Sequence, residues 1–295
     1  PYTTLFRSCR RMIAAGSGPG RRVMLAATAA GVFGAAWAAP AAAQGRLDAK
    51  YAVTLAGLPI GKGSWTIAIG NDDFSAAVSG GTTGLLQALG KGGGTGSSQG
   101  RIVGGALVPA AYVTSIMYGK KNETIRINLA GGNVKDWSIE PEPPVDPRRV
   151  PVTDAHRRGV WDPMTASLLR VPGNGDPVSP EVCTNRTTAI FDGRMRYELQ
   201  LEYRRMESVK HIKGYQGPAV VCAVYFKPIS GYVPDRYAIK YLATLRDMEV
   251  TLAPIAGTRV LVPLRIKIPT PIGTGLVQAT EFITAPTPRT AAKTN

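Results

Sequence analysis

The chain has 295 residues and a formal net charge of +15 at pH 7. That length is enough to bury a sizeable core as one domain. A charge this basic would suggest nucleic acid in a cytosolic protein, but the export signal read below excludes that partner. It points instead to an anionic envelope surface, or to solubility alone.

Residues Pro1–Ser8 read like the translation of a sequencing-adaptor oligonucleotide and are set aside. Initiation is then expected at Met12 or Met24. Residues 9–43 read as a signal peptide. Arg10, Arg11, Arg21 and Arg22 form a basic start, Val23–Ala39 an apolar core, and Ala41-Ala42-Ala43 a small-residue cleavage site. The seventeen residues from Val23 to Ala39 fall short of the ~20 that a membrane-spanning helix needs, so no span is expected after cleavage. Arg21-Arg22 leaves the Sec and twin-arginine routes both open. No cysteine stands directly after the cleavage site, which argues against a lipid anchor. The expected location is the periplasm, with a single β-rich domain over 44–284 and a flexible tail over 285–295.

Tyr51–Leu55 and Ser64–Ile69 alternate as a hairpin pair, with a turn at Gly57–Gly61. Phe74–Ser79 reads as a third strand. Gly80–Gly105 is glycine-rich and reads as a flexible connector, with one or two helical turns at Gly84–Leu89. It fails the phosphate-loop pattern, since Leu85 stands where glycine is required and Gly92 follows Lys91. Ala110–Tyr118, Glu123–Leu129 and Asn133–Ile139 continue the strand series, and five prolines make Pro141–Pro151 a loop. Asp162-Pro163 opens a short helix ending near Arg170, with the acid as cap.

From Phe191 to Arg204 the sequence keeps a period of two for fourteen residues. This predicts one long amphipathic strand, of the kind found in a large curved sheet or a barrel wall. Ala219–Phe226 is apolar on both faces and reads as a central strand. Asp235–Asp247 is a second helix, with Tyr237, Tyr241, Leu245 and Met248 on one face. Glu249–Pro254, Arg259–Ile268 and Gly275–Ile283 close the series. The expected fold is all-β, a single strongly curved antiparallel sheet or partly open β-barrel with two short helices. Two cysteines remain after cleavage, Cys183 and Cys222. In an oxidising compartment they read as a disulfide around the long strand.

The second half resembles the exported bacterial family known as domain of unknown function 3108. The likeness rests on Phe191-Asp192-Gly193-Arg194 with Tyr197, on Gly214-Tyr215-Gln216-Gly217-Pro218, and on Cys222. Asp162-Pro163 with Leu168-Leu169-Arg170, Leu252-Ala253-Pro254, Val262-Pro263 and Gly273 add to it. It spans most of residues 48–284, implies a β-rich envelope-associated domain, and carries over no catalytic residue.

No constellation for chemistry stands out. The two histidines, His156 and His211, have no company of ligands at metal spacing, and no cofactor is expected. There is no GxSxG. Ser167 with His156, and the acids Asp154, Asp162 and Asp192, are the only catalytic candidates. The apolar side of the long strand, Met195, Tyr197, Leu199, Leu201 and Tyr203, reads as filled core or as the wall of an acyl-chain cavity. Arg194, Arg196, Arg204, Arg205 and Lys210 read as a solvated face or as a patch for anionic lipid or polysaccharide. The leading expectation is a non-catalytic binding or carrier protein for a hydrophobic or anionic envelope component. The alternatives are an envelope hydrolase and a purely structural envelope domain.

Overall fold

The computed structural model describes residues 44–84 and 92–287. The adaptor-like residues, the expected signal peptide and the greater part of the expected tail lie outside the described residues. So do Leu85–Leu89 of the expected helical turns at Gly84–Leu89.

One antiparallel sheet makes up the fold. Its first seven strands run β1 (Gly45–Leu55), β2 (Leu58–Ile69), β3 (Asp73–Thr82), β4 (Gly92–Val103), β5 (Ala106–Tyr118), β6 (Lys121–Ala130) and β7 (Asn133–Glu140). After a long connection come β8 (Leu169–Arg170), β9 (Arg186–Phe191), β10 (Arg196–Ile212), β11 (Tyr215–Ser230), β12 (Glu249–Pro254), β13 (Val260–Thr270) and β14 (Gly273–Pro286). The spatial order is β7-β6-β5-β4-β3-β2-β1-β14-β13-β12-β11-β10-β9, with β8 attached to β13. The two α-helices are short, α1 (Pro163–Ala166) and α2 (Tyr237–Thr244). The all-β expectation therefore holds.

Alternation places the core. Leu47, Ala49 and Tyr51 of β1 align with Trp65, Ile67 and Ile69 of β2 and with Phe74 and Ala76 of β3, and all are buried. Val262 and Leu264 of β13 and Phe282 of β14 join them from the other half. The helix α1 lies inside the curve and plugs it, with Met164 and Leu168 in the same cluster. Asp162 caps this plug: one carboxylate oxygen accepts from the N–H of Met164 at 3.0 Å and of Thr165 at 2.9 Å. The other accepts from Ser98 Oγ at 3.1 Å, and Ser98 shares a 2.8 Å hydrogen bond with Thr165. Burial is affordable for these polar groups because each has a partner.

The ends of the sheet, β7 and β9, share no ladder among the described residues. Residues 160–161 stand between them. Val160 donates to Gly132 at 2.8 Å, Trp161 donates to Ala189 at 2.9 Å, and Phe191 donates back to Trp161 at 3.0 Å. Trp137 of β7 meets Phe191 edge-on at 5.9 Å, and Arg157 lies 4.3 Å over the Trp137 ring. Arg194 forms an ion pair with Glu123 across the same seam. The β10–β11 hairpin is the longest arm, and its tip leans onto β14. Phe282 donates to Lys213 at 2.8 Å, and the rings of Tyr215 and Phe282 lie 5.5 Å apart.

Three sequence expectations need correction. The alternation from Phe191 to Arg204 is not one strand. Residues 192–195 form a turn, and Phe191 pairs with Arg196. Asp192 makes it by accepting from the N–H groups of Arg194 and Met195 at 2.8 and 2.7 Å, and Gly193 supplies φ of +93°. The turn reverses parity: Phe191 shares a face with Arg196 and Ile190 with Tyr197, so the unbroken period of two in sequence spans two strands whose odd-numbered residues face opposite sides. The glycine-rich stretch is not a connector throughout, because Gly92–Val103 is strand β4. The first helix ends at Ala166, and Leu169–Arg170 turns into β8.

Candidate functional site

The site is an inward-facing cleft in the first half of the sheet. Across β2, β3, β4 and β5 the register aligns Gly63, Gly80, Gly94 and Ile116. The row beside it aligns Trp65, Val78, Gly96 and Thr114, and the next outward aligns Gly61, Thr82, Gly92 and Tyr118. Glycine is needed here for close approach. A Cβ on Gly63 would lie 2.8 Å from the Ser79 carbonyl, and one on Gly94 2.8 Å from the Ser115 carbonyl. The bare strands leave room where side chains would otherwise fill the interior.

The cleft has a volume of about 600 Å³, within the range of small-molecule sites. Its floor is Tyr51, Trp65 and Ser167, the last standing just past α1. The phenol of Tyr51 donates to the Pro263 carbonyl at 2.8 Å, and burial pushes its pKa well above the ordinary value. The buried indole N–H of Trp65 has no hydrogen-bond acceptor among the described residues. The walls include Val53, Ile266 and Val277. Val78 and Ile116 sit on the inward face yet are 39% and 51% exposed. An apolar side chain that points inward and still meets solvent marks interior that the chain does not fill.

The opposite side of the same glycine wall carries a second, polar cleft of about 800 Å³. Ser64 and Ser79 share a hydrogen bond of 2.9 Å there, beside Thr95 and Ser115, with Lys50 and Lys62 at its edge. The two faces of one wall therefore differ in side chains, with hydroxyls and lysines on the outer face and aromatic and aliphatic groups on the inner one.

The residues singled out from sequence lie elsewhere. None of Met195, Tyr197, Leu199, Leu201 and Tyr203 lines the apolar cleft. Leu201 is buried against Cys183, Cys222, Val220 and Val250 in a second cluster. Tyr197 packs on Phe226 with ring centres 5.5 Å apart, Met195 and Leu199 are half-buried, and Tyr203 is 40% exposed. Cys183 and Cys222 are joined as a disulfide, Cα atoms 5.6 Å apart.

The basic residues are mostly engaged. Arg194 pairs with Glu123, Arg196 with Glu198, and Arg205 with Glu207 and Glu249. Arg204 donates to the Tyr225 hydroxyl and the Arg246 carbonyl. Lys210 is exposed.

The catalytic candidates do not converge through hydrogen bonds among the described residues. His156 Nδ1 accepts from the Thr153 N–H at 3.1 Å, while Ser167 donates to the Pro163 carbonyl at 2.9 Å. Asp154 pairs with Arg157, Asp162 caps α1 and Asp192 holds its turn. Burial pushes the Asp162 and Asp192 carboxyls above the usual range, against hydrogen bonds that act the other way. No cluster of three metal-ligating side chains occurs among the described residues.

The signal that sequence reasoning missed is the glycine register. Gly63, Gly80 and Gly94 are far apart in the chain, and only pairing puts them in one row.

Comparison with known proteins gives one family. No curated protein matches the sequence. A solved structure similar to this one is the crystal structure of a beta-barrel-like protein of domain of unknown function DUF1849 from Brucella abortus. It is 8% identical, with 83% of this chain and 98% of that chain covered and a TM-score of 0.45. The family described as "Protein of unknown function (DUF3108)" matches residues 50–280. With more than half of its length matched, the chain belongs to the DUF3108 family.

Proposed function

We propose that this is an exported envelope protein that binds the apolar part of an envelope component, an acyl chain or a similar group, in the inward cleft. The expected signal peptide supplies the location. The observation that carries the reading is the unfilled interior beside Val78 and Ile116. A chain burying about ten methylenes at ~0.8 kcal/mol each gains ~8 kcal/mol, the scale of a micromolar dissociation constant before ordering costs. The role is read as holding and handing over: Asp154 pairs with Arg157, Asp192 holds its turn, and the hydroxyl that Asp162 meets, Ser98, is buried under the plug.

The test uses delipidated full chain and a fluorescent fatty-acid probe. Val78→Trp places an indole in the cleft without touching the plug's cap. It should weaken probe binding by about tenfold or more, a loss of ~1.4 kcal/mol, with thermal stability retained. Wild-type protein that captures no probe, or a V78W variant that binds as well as wild type, refutes the proposal.

A further inference from the structure

The cleft opens toward one end of the sheet, and that end differs from the other. The β1–β2, β5–β6 and β13–β14 turns all lie there, since Leu55 pairs with Gly275, Gly61 with Thr82, and Gly92 with Tyr118. Two of these turns touch. Ala56 donates to the Thr274 carbonyl at 2.9 Å, and a Cβ on Gly273 would lie 2.6 Å from that of Ala56.

Each turn carries a large apolar side chain into solvent. Leu58 is 63% exposed, Tyr118 71% and Ile272 72%. Lys120 and Lys121 stand exposed beside Tyr118. The acid nearest them in the sequence, Glu123, is already paired with Arg194. The turns at the opposite end are of another kind. Asn71-Asp72-Asp73 joins β2 to β3, and glycine pairs make the turns at Gly104-Gly105 and Gly131-Gly132.

We propose that this rim is a membrane-docking surface, on which the cleft mouth sits against a bilayer bearing anionic headgroups. Three apolar tips at one end of the sheet fit the headgroup–acyl boundary, and tyrosine suits a position with one apolar side and one wet side. The two lysines supply attraction to anionic lipid. The charge decides between occupants: a second copy of this chain would bring the same lysines face to face. The docking rests on the cleft reading only for its purpose, which is to give an acyl chain a path from bilayer to interior without crossing water.

The experiment is co-sedimentation of the full chain with vesicles of phosphatidylcholine, with and without phosphatidylglycerol. Wild type should bind the anionic vesicles, and binding should fall as salt is raised. Lys120→Gln with Lys121→Gln should weaken binding by about tenfold. Leu58→Ser with Ile272→Ser should abolish it while fatty-acid probe binding in solution stays intact. Val78→Trp should do the reverse, losing the probe and keeping the vesicles, so failure of the cleft and failure of the rim are separately visible. Equal binding by wild type and the rim variants overturns the proposal, as does absence of binding to anionic vesicles. Self-association that vanishes in the rim variants overturns it in favour of a protein partner.

Discussion

Removing the carboxylate of Asp162 should release the plug. In Asp162→Ala the N–H groups of Met164 and Thr165 lose their acceptor, and both residues are buried, so water does not replace it. An orphaned buried donor costs about 1–3 kcal/mol, so the pair costs roughly 2–5 kcal/mol. Ser98 is not orphaned, because its hydrogen bond with Thr165 remains. Against a typical total of ~5–15 kcal/mol, that loss is large. Asp162→Asn keeps an oxygen for both N–H groups, and its amide can donate to Ser98, so it should cost under ~1 kcal/mol. Urea unfolding with a constant slope measures both variants. The pH dependence adds a check. Burial raises the Asp162 carboxyl, so the folded chain holds that proton more tightly than the unfolded chain. The resulting contribution is full below the ordinary carboxylate range, about pH 4, and is lost as pH rises through the folded value. Asp162→Asn should remove this slope. An alanine variant within ~1 kcal/mol of wild type, or an asparagine variant as damaged as alanine, refutes the capping argument.

Two further outcomes follow from the packing. The Cys183–Cys222 bond has a sequence separation of 39 residues, and the chain-entropy relation gives ~4 kcal/mol for such a loop. Cys183→Ala with Cys222→Ala should lower unfolding free energy by about that much, and an unchanged urea midpoint would contradict it. At the hairpin tip, Glu281 accepts from Lys213 at 3.0 Å and Lys50 at 3.3 Å, which lowers its pKa. The favourable contribution is present above the usual carboxylate range and disappears as pH falls through the lowered value. The protection factor of the Phe282 amide should fall on acidification and, at neutral pH, in Glu281→Gln. Protection that is the same at both pH values would show that the ion pair does not hold the tip.

Local pattern made the class of fold readable, but not its spatial arrangement. Alternation located the strands, and Asp162-Pro163 announced the start of α1, because those signals sit within a few residues. What period two cannot register is a turn whose own residues continue the alternation, and residues 192–195 are one, held by a carboxylate and a left-handed glycine. Glycine misled for the same reason. In sequence, Gly92, Gly93 and Gly94 look like loop, since glycine weakens an isolated strand. In the sheet they are a wall between neighbours that pin the backbone on both sides. The cleft was illegible because emptiness is a property of pairing, and no single stretch carries it. The long amphipathic segment drew attention as a ligand face because its own apolar residues are contiguous, whereas the chain covers Leu201 with Val182 and Cys183 from a separate loop.

The junction between β7 and β9 carries a consequence for how the wall holds together. A cylinder stitched by a complete ladder has its girth set by strand count and stagger. Here a wedge of two residues, held by three main-chain bonds and an aromatic contact, completes the circuit. Val160 and Phe191 also pack there with Ile125, Ile127 and Leu129, so the two ends of the sheet are joined by side-chain burial where the rest of the wall is joined by ladder, and loosening this seam would leave every hairpin intact.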